Sequence, residues 1–110
     1  MKGRRVIRQY EAGERNFSRV KLRRAQLQGA SLQDINLSFS DLEEADLRDA
    51  NLSGANLKGC DLLGADLRDA NLDDANLRGA NLYEADVTGA QLAQAKSLRG
   101  MIMPKGGRHE

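Results

Sequence analysis

A period of five runs through the centre of this chain. From Ala45 it reads ADLRD, ANLSG, ANLKG, CDLLG, ADLRD, ANLDD, ANLRG, ANLYE, ADVTG. A helix cannot use that period. Five residues advance it by about 500°, a net of about 140°, so the leucines would scatter around every side. A long strand fails as well, because side chains alternate and five is odd, so successive leucines would point to opposite faces. What remains is a chain that turns once per repeat and returns each leucine to a common axis. That is a solenoid, in which a unit buries its apolar residues only by stacking on its neighbours. Ala and Leu stand two apart in each unit, which is strand spacing, so both face inward. The other three positions, for example Asn56, Lys58 and Gly59, then face water.

Counted from Arg15, the central position is Phe17, Leu22, Leu27 and so on every fifth residue to Val87 and Leu92, sixteen repeats without an insertion. The second inward position runs from Val20 through Ala45, Cys60 and Ala75 to Ala90. The early repeats deviate most, at Arg15, Val20, Ile35 and Ser40, as repeats next to a cap do. The glycines at 54, 59, 64, 79 and 89 fall in the last slot, where the chain must turn. The Asn and Asp before each Leu are short enough to hydrogen-bond nearby backbone or to form ladders along a stack.

The chain resembles the pentapeptide-repeat family, whose motif is [A/S/C]-[D/N]-[L/F]-x-x. The match covers residues 15–94, and the flanks YEAGERNFS and IMPKGGRHE are similar to those of cyanobacterial-type members. The resemblance implies an all-β fold, a right-handed quadrilateral β-helix with four repeats per coil. Sixteen repeats then make about four coils, stacked to roughly 19 Å. Residues twenty apart lie above one another. Asp46, Arg48 and Asp49 then stack on Asp66, Arg68 and Asp69, with ion pairs alternating across that face. A second face carries Asp41, Glu43, Glu44, Asp61, Leu63, Tyr83 and Glu84. A third carries Arg19, Phe39, Lys58 and Arg78.

Three segments follow. Residues 1–14 form an N-terminal capping helix over about 2–12, with Val6, Ile7 and Tyr10 on one face and Gly13 as its stop. Residues 15–94 form the repeat. Residues 95–110 form a C-terminal cap and a mobile polar tail. After Leu92 the rhythm breaks, with Ser97 in a leucine slot and Leu98 one residue late. Residues 91–99 read equally as a final side or as a short helix. Met101, Ile102 and Met103 either cover the last coil or meet a second copy as a homodimer through the C-terminal end.

Length and composition agree with one domain built on small side chains. Of 110 residues, 40% are apolar but only 4% aromatic, and there is no Trp. One Cys excludes an intramolecular disulfide and suits a reducing, cytoplasmic setting. No signal peptide and no membrane span are expected. The net charge of +1 hides an asymmetry: residues 1–30 sum to +7, residues 31–90 to −9 and residues 91–110 to +3.

Nothing in the pattern points to an enzyme. His109 lies in the tail, Cys60 fills an inward slot, and the carboxylates recur by repeat on outward positions. There is no Cys/His metal spacing, phosphate-cradling loop or triad order, so no catalytic residue, metal or cofactor is expected. The apolar residues that the repeat leaves free are Phe39, Leu63 and Tyr83. With Met101, Ile102 and Met103 they are the candidate contacts for an unknown protein partner. The expected function is a non-enzymatic interaction or scaffold module. One alternative is a DNA-mimicking inhibitor of DNA gyrase, which the acidic middle favours and the overall +1 opposes. Another is binding of an anionic surface by the basic N-terminal end. Nucleic acid itself is not expected as a partner.

Overall fold

The structure, a computed structural model, covers residues 1–110. The chain winds as a β-helix. Parallel bridges join residues twenty apart in four columns: Asn16–Asn36–Asn56–Asn76, Lys21–Asp41–Asp61–Asn81, Gln26–Asp46–Asp66–Asp86 and Ser31–Asn51–Asn71. Each column is one side of a coil, and the sides are called the first to fourth face in that order. Only one residue per side is bridged before the chain turns, so pairing takes the form of isolated bridges rather than long strands. The molecule measures 37 × 23 × 23 Å.

The turn explains the rhythm. Within each regular repeat the carbonyl of the central Leu accepts the N–H three residues on, as from Leu42 to Ala45 at 3.0 Å and Leu62 to Ala65 at 3.0 Å. The last residue of the repeat sits in the turn at positive φ: 66° at Gly64, but also 59° at Arg24, Phe39 and Asp49. That is the sign pattern of a type II turn, whose third position favours Gly. Nine non-glycine residues accept it here. The preceding Asn or Asp holds the turn from outside. Its Oδ1 accepts the N–H two residues on, for example Asp61 from Leu63 at 3.1 Å and Asn76 from Arg78 at 3.0 Å. A contact along the stack forms once, from Asn36 Nδ2 to Asn16 Oδ1 at 3.4 Å.

The interior is one cluster of buried Leu and Ala, with the leucines from Leu22 to Leu67 at zero exposure. A fully buried Leu contributes about 1.5–3 kcal/mol, and here that gain comes from stacking alone. Ser38 and Ser40 are both buried, and Ser40 is the inward one. Ser40 Oγ accepts from Val20 N–H at 3.1 Å and donates to Phe17 O at 3.0 Å, bridging the one early turn that lacks its direct bond. At the base, α1 (Gly3–Glu11) buries Val6 and rests Ile7 and Tyr10 against the core. Tyr10 Oη donates to Gln33 O at 2.7 Å.

The regular winding stops earlier than the sequence suggested. The sixteenth repeat is a short helix, α2 (Gly89–Ala93), so Gly89 is helical and Ala90 is exposed rather than inward. Thr88 and Gln91 form a reciprocal capping box at its start. α2 absorbs one extra residue, so the next bridges join Asn76 to Ser97 and Asn81 to Ile102, twenty-one apart. That is why Leu98 arrives one residue late. Residues 97–104 then lay two further sides of a fifth coil on the first and second faces. The last residues fold back: Gly100 N–H donates to His109 O at 2.7 Å, and His109 N–H to Met101 O at 2.7 Å. Ile102 pairs antiparallel with Arg108.

Candidate functional site

With the interior filled, the chemistry of this molecule lies on its outer walls. The third face carries an ion ladder. Arg48 Nη2 meets Asp46 at 2.7 Å, and its Nε lies 3.8 Å from Asp66. Arg68 repeats this one coil up, with Asp66 at 2.7 Å and Asp86 at 3.5 Å. The hydrogen bonds from Arg48 and Arg68 hold the Asp46 and Asp66 carboxyls below the usual carboxylate range.

The second face gathers acids at mid-height. Asp41, Glu43 and Asp61 bring one carboxylate oxygen each within 4.8 Å of one another. Arg23 answers two of them, Asp41 at 3.3 Å and Glu43 at 3.2 Å. Arg24 reaches Glu44 at 3.1 Å. The charge of this cluster is therefore met from the coil below.

The candidate contact residues do not form one patch. Leu63 and Tyr83 share the second face one coil apart, with Leu63 half-buried and Tyr83 at 43% exposure. The tail lies against Tyr83, because a Cβ on Gly106 would stand 3.7 Å from its ring. Phe39, at 47% exposure, belongs to the first face. Its ring lies across Gly59, close enough that any side chain there would collide with it, and the Arg19 guanidinium sits 4.9 Å from its centroid. Met101 occupies the inward slot above Ala80 and is fully buried. Ile102 and Met103 are half-buried at the top of the second face.

Cys60 is buried, with Sγ 2.7 Å from Leu37 O, and burial pushes its thiol up to about 12. A thiol so placed is not a nucleophile near neutral pH. His109 is half-buried rather than free in the tail, and its Nδ1 is enclosed without a hydrogen-bond partner.

One member of a surface row escaped the reading of the sequence, which placed Arg19, Phe39, Lys58 and Arg78 on one face but not Arg99. The outward positions of the first face hold Arg19, Lys58, Arg78 and Arg99 and no acid at all. The signal is present at twenty-residue spacing for Lys58 and Arg78. The one-residue slip at α2 hides Arg99 from the same count.

Comparison with known proteins gives a consistent result. The family model for pentapeptide repeats matches eight copies, over residues 16–38, 30–69 and 60–96. No curated protein matches the chain significantly. Among solved structures, a pentapeptide repeat protein from Nostoc PCC 7120 is 44% identical, over 76% of this chain and 74% of that one, with a TM-score of 0.52. A pentapeptide repeat protein from the Arabidopsis thaliana thylakoid lumen is 30% identical, over 87% of this chain and 66% of that one, with a TM-score of 0.73.

Proposed function

This chain belongs to the pentapeptide-repeat family, and on that footing we propose that it serves as a non-enzymatic protein-interaction or scaffold module. The observation that carries the reading is the filled tube. Twenty-nine buried apolar residues form a single core, so the walls and the two ends are what a partner can meet. Many of the polar groups have structural duties: Asx oxygens hold turns and arginines pair with aspartates, while the thiol is buried. The family's right-handed quadrilateral winding is taken as the hand of these coils, and the single reduced cysteine supports a cytoplasmic setting.

Affinity capture from the source cell tests the reading, with wild type beside Leu63→Ser and Tyr83→Ala. A partner lost with either variant supports the second-face pair as its contact. A partner retained by both removes that pair.

A homodimer through the C-terminal end would use Ile102 and Met103 together with Leu98, since Met101 lies inside. Light scattering on wild type and Met103→Asp decides it, and an unchanged mass removes the dimer. The gyrase-inhibitor alternative draws on the acidic second and third faces but is opposed by the acid-free first face. A supercoiling assay without inhibition at micromolar protein eliminates it. The anionic-surface alternative draws support from a groove of about 530 Å³ lined by Met1, Lys2, Arg4, Arg23 and Arg24. Salt-sensitive co-sedimentation with anionic vesicles tests it.

A further inference from the structure

We propose that the first face is a docking wall for an acidic protein, whose carboxylates meet the row Lys58, Arg78 and Arg99, with Arg19 below. The inference deepens the interaction reading above and rests on it.

Three observations carry it. All four cations are exposed, and none lies within ion-pair distance of an acid, whereas Arg23, Arg24, Arg48 and Arg68 all do. Second, Lys58, Arg78 and Arg99 occupy the same slot in three successive coils. Like charges are thus stacked about 4.8 Å apart, an arrangement that destabilises a sheet. Third, folding does not ask for a cation there. The same slot holds Ser18 and Ser38 in the first two coils, and each N–H still donates to the Oδ1 of the Asn two residues before it. Beside the row the chain runs through Gly79 and Gly100, which leave the wall smooth for a partner.

Charge complementarity and shape select the occupant. The cations stand in a single column, one slot in three successive coils, so duplex DNA would meet it with only one line of phosphates. A base stacking on the Phe39 ring would compete with the Arg19 guanidinium that lies over it at 4.9 Å. Two first faces brought together by a two-fold axis would set cations against cations. A flat acidic protein surface fits. A contact made through one row of exposed cations is electrostatically steered.

The test uses a labelled poly-L-glutamate peptide, a duplex DNA of equal charge and anionic vesicles, read by anisotropy or co-sedimentation at two salt concentrations. The peptide binds wild type, shifts the amide resonances of Gly59, Gly79 and Gly100, and binds about tenfold or more weakly to the variant with Lys58→Gln, Arg78→Gln and Arg99→Gln. That variant melts no lower than wild type. A control with Lys2→Gln, Arg4→Gln and Arg5→Gln binds nearly as wild type. Undiminished binding by the first variant, tighter binding of DNA or vesicles than of peptide, or a lowered melting temperature would each overturn the proposal. If only the helix control loses binding, the wall is wrong while the interaction reading stands, since that reading is scored by the capture experiment.

Discussion

The side-chain amide of Gln91 donates to the carbonyl of Ala70 at 2.9 Å. One coil lower, the corresponding carbonyl of Ala50 receives the backbone N–H of Asn71, also at 2.9 Å. Gln91 has turned its own N–H into the α2 cap, to Thr88 Oγ1 at 3.1 Å, and replaced it with its side chain. A second bond, to Leu67 O at 2.7 Å, anchors the same amide. The coil can thus admit a helix and an extra residue without abandoning the carbonyls beneath. Gln91→Leu should cost about 1–3 kcal/mol, because it orphans a partly buried acceptor. Amide exchange should quicken over 97–104 before it quickens over 41–65. Uniform quickening, or none, would count against the splice.

The turn residues give a second prediction. Asp49 sits at φ 59° in the slot that elsewhere takes Gly. Asp49→Val should lower stability by about 1 kcal/mol or more, since a β-branched residue resists that region. Asp49→Gly should be near neutral, because relief of strain is offset by backbone entropy. Both are read from urea midpoints, and equal midpoints for the two variants would contradict the turn assignment.

The ion ladder predicts an acid limb. Asp46 and Asp66 have folded pKa values below their unfolded ones. Their stabilisation is present above the unfolded carboxyl pKa and is lost as pH falls through the folded values. Replacing Arg48 and Arg68 by Gln should therefore shrink the loss of stability below about pH 4 while changing little at pH 2. Salt should weaken the wild-type effect.

Cys60 predicts reactivity. With its thiol pushed up to about 12 and its Sγ buried, the native protein should resist alkylation at pH 8 and react only on unfolding. Labelling kinetics that do not depend on denaturant would mean that the inward slot of Cys60 is open.

Most of the tube was legible because one local rule repeats. Leu62 inside and Lys58 outside follow from period alone, and the Asx carbonyls follow from turn chemistry. The N-terminal helix was legible as an apolar face followed by a glycine. The end of the tube was not. Thr88 and Gln91 compete with the repeat through a capping box, and Gly89 and Ala90 fit both patterns, so periodicity alone overran the boundary. Met101 read either as a cover for the last coil or as a contact to a second copy, because the slip that returns it to the inward slot is invisible in the five-residue count. The cationic wall was legible in part: Arg19, Lys58 and Arg78 read onto one face, whereas Arg99 lies beyond the slip. Charge summed along the chain made residues 31–90 acidic, while the fold sorts that charge by face.

Thermal unfolding of Leu62→Lys beside Leu63→Lys tests the assignment of inside and outside most directly. Leu62 has no exposure, whereas its neighbour lies half-buried on the second face. Lysine at 62 places an unpaired charge in the tube and should abolish cooperative unfolding. Lysine at 63 should leave a cooperative transition within a few degrees of wild type. Comparable losses at both positions would contradict the account.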